Sequence, residues 1–296
     1  MTDIRILEPG LNTLFMKHYK EFTKKLPYEK IATTVKSAGA GENYSWLTDT
    51  PSMREFTEER NIKSLGSLVY TLNNKTWEAT LGIERNAIED DLCGQIQLRI
   101  KDLAYTAASH RNRLVFEALE AGLTEKCFDG EAFFSSSHIY PEKSAYRTAQ
   151  SNLNTLELTE ANLKASVTAM GQILNSEGEP MNIVPDTLVV PRALEWTAKE
   201  LVYSPSFGDS HTANALRGML EVIVSPYIKD SDSWFLLDCS GGLKPIILQD
   251  RSNIELTALG GDSPEGFMRD MYYYGVRARY NAGYSYWQLA YANIPE

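Results

Sequence analysis

The sequence is poor in cysteine and contains no long apolar run. Its three cysteines, Cys93, Cys127 and Cys239, are far apart and form no CxxC spacing. We therefore predict no disulfide framework and interpret them as small buried side chains in a reducing compartment. No stretch approaches the roughly 18 consecutive apolar residues of a membrane span, and the charged start from Met1 to Leu14 is unlike a secretion signal. We expect a cytoplasmic product without a membrane segment.

Basic residues are also scarce. The chain carries 29 Lys and Arg residues against 39 Asp and Glu residues, which gives a formal net charge of −10. Proteins that read nucleic acid usually present a basic face, because the release of counterions from phosphates drives binding. The acidic balance therefore argues against a sequence-specific nucleic-acid binder, and it favours solubility at high concentration.

The sequence contains no recognisable catalytic or metal-binding motif. Its four histidines show no HExxH or other metal-ligand spacing; they are His18, His110, His138 and His211. His110 falls on the apolar stripe of a predicted helix, where we expect a packed structural histidine. His138 follows Ser135-Ser136-Ser137, which leaves a soluble hydrolase as a remote alternative, although adjacent Ser and His do not form a triad and no GxSxG motif is present. We predict no catalytic residue, no cofactor and no metal site.

Two further patterns have ordinary structural explanations. Gly241-Gly242 and Gly260-Gly261 fit tight turns between strands, since neither forms GxGxxG or a phosphate loop. The acidic cluster of Glu55, Glu58 and Glu59 is interpreted as a solvated face, with a cation site as the open alternative.

The first segment predicts a helix that needs a partner surface. From Pro9 to Leu26 apolar residues recur at helical spacing, and the other face is rich in lysine. A helix this short is marginal alone. Because Pro27 to Asn43 shows little helical pattern, we interpret the two stretches together as an extended arm.

A polar β-hairpin is predicted next. Ser67–Leu72 and Thr76–Ile83 are short β-prone runs that flank Asn73-Asn74-Lys75, which fits a hairpin turn. An isolated two-stranded hairpin is barely stable in water. We therefore expect the hairpin to project and to find a partner surface on its own chain or on another.

A long helix is the strongest local signal. Glu89-Asp90-Asp91 places negative charge at its expected start, and Gly122 stands where a C-terminal glycine belongs. About thirty residues at 1.5 Å per residue would extend roughly 45 Å, well beyond the average helix of about 11–12 residues. Such a helix spans a domain and serves as a mechanical strut.

The remainder of the chain predicts a mixed α+β unit. Helices are expected over Glu160–Leu174 and Arg192–Val202, and strands over Glu131–Ser135, Asp186–Val190, Met219–Ser225, Trp234–Asp238, Pro245–Gln249 and Ile254–Ala258. From Tyr272 to Tyr280, aromatic and aliphatic residues alternate with a second set that includes two arginines, which is typical of a half-buried strand. For these tyrosines we favour a core or subunit interface over a stacking platform for nucleic acid.

Four stretches resemble the family of the Mu-like major head subunit, called gpT. They are 53–61 with 77–80 and 88–91, then 129–134 with Ser137-His138, then 185–191 with Leu194-Glu195, and finally 220–227 running to 234–238. Their order and spacing over most of the chain carry the likeness.

The resemblance implies an α+β fold of the Hong Kong 97 capsid type. Its parts would be an N-terminal arm (1–43), an extended β-hairpin loop (44–87), a peripheral domain with a long spine helix (88–179), an axial domain with a central mixed sheet (180–258) and strands that return to the peripheral domain (259–296). The elements predicted from periodicity occur in the same order.

The resemblance also implies a function and partners. The chain would be a major capsid protein that self-assembles as hexamers and pentamers into an icosahedral phage head around double-stranded DNA, which it contacts non-specifically, in the cytoplasm of a bacterial host. Because the sequence lacks the long N-terminal scaffolding extension of some relatives, a separate scaffold, a portal and a maturation protease are expected partners. An encapsulin-like nanocompartment shell is the alternative within the fold.

We predict that the arm and the loop make the assembly contacts. The residues are Leu11, Phe15, Tyr19, Phe22, Arg54, Glu55, Glu58, Glu59, Lys63, Asn73, Asn74, Lys75 and Trp77. Some relatives crosslink a loop lysine to an asparagine, and Lys63 and Lys75 lie in the corresponding region, but we interpret both as surface lysines.

Overall fold

The computed structural model describes residues 4–45, 70–89, 94–141, 144–206, 213–260 and 263–295. Its helices are α1 (Ile4–Thr23), α2 (Tyr28–Ile31), α3 (Arg85–Glu89), α4 (Gln95–Ala121), α5 (Glu160–Gly171), α6 (Glu195–Tyr203) and α7 (Pro264–Arg269). Its strands are β1 (Ala32–Lys36), β2 (Gly41–Tyr44), β3 (Tyr70–Asn73), β4 (Lys75–Glu84), β5 (Leu153–Asn154), β6 (Thr187–Pro191), β7 (Glu221–Ser225), β8 (Trp234–Leu237), β9 (Ile246–Leu259), β10 (Met271–Tyr284) and β11 (Ala290–Asn293).

The first sheet has the strand order β1-β9-β10-β4 and is built on a long hairpin. β9 and β10 pair antiparallel from Ile246 opposite Tyr284 to Leu259 opposite Tyr273. β4 runs antiparallel to β10, and β1 runs parallel to β9. The long helix α4 lies against this sheet, where the Tyr284 hydroxyl donates to the Ala118 carbonyl at 2.8 Å, and α1 lies on α4.

The second sheet has the strand order β5-β11-β8-β6-β7. Its interior strand β6, which lies between β8 and β7, is buried along its whole length, as a strand covered on both faces should be. β6 is parallel to β7 and antiparallel to β8, so the sheet is mixed, as predicted for this part of the chain. Helix α6 contacts β6 and β7.

These pairings divide the chain differently from the predicted domains. β9 lies mostly within the predicted axial segment 180–258, yet it pairs with β10 in the first sheet. β11 lies in the predicted peripheral return 259–296, yet it pairs with β8 in the second sheet. Pairing partners decide which sheet a strand joins, and periodicity along one strand does not reveal them. The two strands predicted over 245–249 and 254–258 are one strand that crosses a register shift.

The prediction for the tail strand is confirmed. Within β10, Tyr272, Tyr274, Val276, Ala278 and Tyr280 are all buried, and the intervening residues are partly or fully exposed. The tyrosines therefore belong to the core, and the alternative of a stacking platform for nucleic acid is wrong for these side chains.

The predicted spine helix is confirmed, but its start is wrong. α4 begins at Gln95, after Gly94 in a left-handed conformation with φ 70°, whereas Glu89 ends the separate short helix α3. A residue with positive φ interrupts helical geometry, and glycine adopts it at little cost. The strand predicted over 131–135 is also absent, since these residues form bends and an isolated bridge from Ala132 to Lys126.

Candidate assembly surfaces

The apolar face of α1 is buried within the chain. Phe15 is 0% exposed, and Leu11 and Tyr19 are 5% and 9% exposed. Phe15 stacks on Tyr19 at 6.1 Å between ring centroids, and the half-buried Phe22 meets Tyr105 of α4 edge-on at 5.3 Å. The expectation of an extended arm is corrected here, because a short amphipathic helix gains its stability from packing and α4 supplies the surface. That these residues contact a neighbouring subunit stays a prediction.

The second half of the predicted arm also joins the body of the chain. β1 is the edge strand beside β9, and Lys36 donates to Asp250 at 2.7 Å. Arg111 of α4 donates to the other oxygen of the same carboxylate at 3.1 Å, and its guanidinium lies 4.7 Å from the ring centroid of Tyr280. One buried carboxylate therefore connects the arm, the spine helix and the first sheet.

The predicted hairpin at Asn73-Asn74-Lys75 does not form. β3 pairs with β2, and β4 pairs with β10, so the chain passes from one sheet to another at Asn74. The Asn74 backbone N–H donates to the Ala40 carbonyl at 2.8 Å, and its side-chain amide donates to Ser37 Oγ at 2.8 Å. Asn74 thus fixes the point at which the chain passes from one sheet to the other. Its neighbours Asn73 and Lys75 are exposed.

Gln249 fixes the base of the loop that begins with β2 and ends with β3. This side chain is 0% exposed and lies on β9. The Tyr44 hydroxyl donates to its oxygen at 2.8 Å, and its nitrogen donates to the Leu72 carbonyl at 3.0 Å and to Asn74 Oδ1 at 2.8 Å. Every polar atom of the Gln249 amide group is used in holding the loop to the first sheet. Five predicted contact residues, Arg54, Glu55, Glu58, Glu59 and Lys63, lie outside the described residues, as do Cys93 and His211.

Trp77 connects β4 to the spine helix. Its indole N–H donates to the Tyr280 carbonyl at 2.9 Å, and its ring centroid lies 4.4 Å from that of His110 on α4. His110 Nδ1 is 2.7 Å from the Tyr280 hydroxyl. Burial, aided by the charge of Arg113, lowers the pKa of His110. The prediction of a packed structural histidine at this position is confirmed, and Trp77 is its packing partner.

Two exposed apolar patches are not evident from sequence periodicity. The hairpin-tip patch consists of Leu259, Phe267 and Met268, at the turn from β9 to β10; Phe267 is 85% exposed and Met268 77%. The α6 patch consists of Trp196 (75% exposed) and Tyr203 (47% exposed), seven residues apart and therefore on one face of the helix. In the sequence, the hairpin-tip patch is indicated only by Phe267 and Met268, an apolar pair within a short polar segment, where no core partner is expected.

His138 belongs to a buried polar cluster. Its Nδ1 lies 2.6 Å from Asp129 Oδ2, its Nε2 lies 3.2 Å from Asn152 Oδ1, and its ring stacks on Trp287 at 4.0 Å. The Cys127 thiol donates to Asp129 Oδ1 at 3.0 Å. Burial would raise the pKa of Asp129, but the hydrogen bonds from His138 and Cys127 outweigh it and leave that pKa lowered. This arrangement orders a loop and does not pair His138 with a serine.

None of the helices in the described ranges combines the length and the hydropathy of a membrane span. The described residues form a long helix that packs on the first sheet, which is built on the β9–β10 hairpin, and a second, mixed sheet. Apolar side chains on α6 and at the hairpin tip are exposed to solvent. These features describe a mixed α+β protein with exposed apolar side chains at two places in the fold.

Comparison with known structures identifies the fold. A chain in the procapsid of bacteriophage JBD30 is similar, with a TM-score of 0.59 and 28% identity, covering 98% of this chain and 76% of that chain. The protein therefore has the α+β Hong Kong 97-type capsid fold that the sequence predicts.

Sequence relatives identify the family. The Mu-like prophage FluMu major head subunit of Haemophilus influenzae is 30% identical over 281 residues, which cover 94% of this chain and 70% of that protein. The major capsid protein of Escherichia phage Mu is 27% identical and is matched over 96% of this chain and 72% of its own length. The family of the Mu-like prophage major head subunit gpT matches residues 4–156, 153–228 and 229–295. The chain belongs to this family: it is a major capsid protein of a phage head, a structural protein and not an enzyme, and the hydrolase alternative is dropped.

Proposed function

We propose that the chain builds its shell as hexamers and pentamers that close into an icosahedral head around double-stranded DNA in the cytoplasm of a bacterial host. Rings of this kind require heterologous contacts, in which one surface of a subunit meets a different surface of its neighbour. A subunit for such rings needs at least two separate contact surfaces.

The observation that carries this proposal is the presence of two exposed apolar patches at separate places in the fold. The hairpin-tip patch lies between β9 and β10 of the first sheet, and the α6 patch lies on the helix that contacts β6 and β7 of the second sheet. Contiguous apolar surface left in solvent marks interaction sites in proteins. Large aromatic side chains such as Phe267 and Trp196 are also the kind that dominate binding energy at interface centres.

The test compares charged with apolar replacements at the hairpin tip. Phe267→Glu should leave the subunit folded, since the side chain is 85% exposed, but should prevent closed shells. Phe267→Leu keeps an apolar contact of similar reach and should assemble. Circular dichroism checks the fold, and size-exclusion chromatography with negative-stain microscopy measures assembly. Normal shells from both Phe267→Glu and Trp196→Glu would contradict the proposal.

The DNA contact that we propose is non-specific. The chain has a net charge of −10, which argues against the strong phosphate binding that counterion release drives. Particles purified from the host should contain nuclease-protected DNA, and empty particles that carry only a protein cargo would favour the nanocompartment alternative instead.

A portal, a scaffold protein and a maturation protease complete the proposal, and their support is the family membership alone. Affinity purification of the subunit from a lysate made before DNA packaging should recover all three. Recovery of closed heads of normal size from the purified subunit by itself would contradict the need for a scaffold.

A further inference from the structure

The turn after α4 brings together three side chains that are typical metal ligands. Cys127, Asp129 and His138 each place one ligand atom so that all three atoms lie within 4.8 Å of one another. The His138 side chain is 0% exposed and that of Asp129 is 7% exposed. Backbone hydrogen bonds from Cys127 to Glu131 and from Gly130 to Cys127 close the turn, in which Gly130 is exposed.

The orientation of Asn152 determines which nitrogen of His138 carries hydrogen. The Asn152 amide nitrogen donates to the carbonyls of Phe133, Trp287 and Ala290, and its oxygen accepts from the Ser135 N–H. The atom that faces His138 Nε2 is therefore an acceptor, so Nε2 must donate to it. A metal-ligating histidine nearly always donates its second ring N–H to such an acceptor. Nδ1 is then the ligating nitrogen, and it is the one that faces Asp129.

The ligand set matches the charge of a divalent ion. A thiolate and a carboxylate carry two negative charges between them, and a neutral imidazole adds none. A divalent cation bound by these three groups therefore leaves no net charge buried in the cluster, which would otherwise be costly.

We propose that Cys127, Asp129 and His138 bind one Zn²⁺ ion. Thiolate, imidazole and carboxylate are the ligand types of zinc, whereas Mg²⁺ and Ca²⁺ require oxygen. The ion takes the place of the hydrogen bonds that join the three groups, the Cys127 thiol releases its proton on binding, and water completes the tetrahedral shell. Bound there, it ties the end of the spine helix to the Trp287 segment through His138, and so it stabilises the folded subunit in proportion to its occupancy.

The experiment uses the full chain in a Cys93→Ser/Cys239→Ser background, so that Cys127 is its sole thiol. After Zn²⁺ addition and dialysis, elemental analysis should give one equivalent per chain, and the urea midpoint should rise. Co²⁺ in place of Zn²⁺ should show a thiolate charge-transfer band in the near ultraviolet. The serine hydroxyl of Cys127→Ser can keep the hydrogen bond to Asp129. This variant should nevertheless lose the cobalt charge-transfer band, the bound equivalent of zinc and the zinc-dependent rise in the urea midpoint.

The cobalt spectrum of the folded parent chain decides the matter even if Cys127→Ser does not fold. Absence of the thiolate band at saturating Co²⁺ would overturn the proposal. Equal zinc retention by the parent and by Cys127→Ser would also overturn it, since the metal would then be held at adventitious surface sites.

Discussion

Replacement of Asp250 by asparagine removes the charge that holds the arm, the spine helix and the first sheet together. Asp250 is 3% exposed and Arg111 is 8% exposed, and they are joined at 3.1 Å. The Lys36 side chain, at 2.7 Å from the other oxygen, is 71% exposed. The two cations therefore respond differently when the carboxylate is lost. Lys36 can return to water, whereas Arg111 stays buried and loses its counter-charge.

The expected cost follows from that difference. Breaking a buried ion pair by removing one partner costs about 3–5 kcal/mol, because a buried charge is left uncompensated. An exposed pair contributes about 1 kcal/mol or less, so the loss of the Lys36 contact adds little. The asparagine side chain still offers an oxygen to Arg111, and we therefore expect Asp250→Asn to lower the free energy of unfolding by about 3 kcal/mol.

A double-mutant cycle isolates the pair. Arg111→Met removes the charge but keeps much of the apolar volume over Tyr280, so Asp250→Asn combined with Arg111→Met should be less destabilised than the sum of the two single variants, by about 2 kcal/mol. Urea unfolding of unassembled subunits, followed by circular dichroism, measures each corner of the cycle. Lys36→Met is the matched control and should cost under about 1 kcal/mol. A single-variant cost near zero for Asp250→Asn, or strict additivity in the cycle, would refute the reasoning.

Three further predictions concern single sites. Because burial lowers the pKa of His110 below its ordinary value of 6.5, the unfolded chain binds its proton more readily than the folded one. The free energy of unfolding should therefore fall as the pH drops through about 6.5, and His110→Gln should flatten this slope in thermal melts between pH 5 and pH 8. Phe15→Ala should cost about 3–5 kcal/mol in urea unfolding, because Phe15 is 0% exposed against the spine helix; a cost below about 1 kcal/mol would show that α1 does not dock as described. Gly283→Ala should destabilise the base of the loop, since the new Cβ would lie 2.6 Å from the Tyr70 hydroxyl, while Gly242→Ala, with nothing within 4 Å, should melt like the parent chain.

The sequence predicted elements whose evidence is local. The alternation from Tyr272 to Tyr280 identified β10 and its buried face, and the apolar stripe up to Gly122 identified the spine helix and its end. In both cases the spacing of the apolar residues identifies the element: every second residue in a strand, or about every 3.6 residues in a helix. The family resemblance then ordered these elements into the correct capsid fold, which periodicity alone does not specify.

The candidate surfaces were predicted less well, for a physical reason that α1 illustrates. An apolar helix face indicates that the helix packs against another surface. It does not indicate whether that surface belongs to the same chain or to a neighbouring subunit. The structure places Phe15 against α4 of its own chain, and it leaves Phe267 and Trp196, which no periodic pattern distinguished, in solvent.

By itself, the sequence determined the local periods, the acidic balance and the membership of a capsid family, because each of these depends on the order and type of residues alone. Only the tertiary structure decided that Lys36 meets Asp250, that Asn74 marks a change of sheet, and that Cys127 and His138 converge on one carboxylate. Lys36 and Asp250 are far apart in the chain, and the change of sheet at Asn74 depends on which strands pair. The third arrangement depends on how the turn after α4 folds, and no periodic sequence pattern shows any of these outcomes.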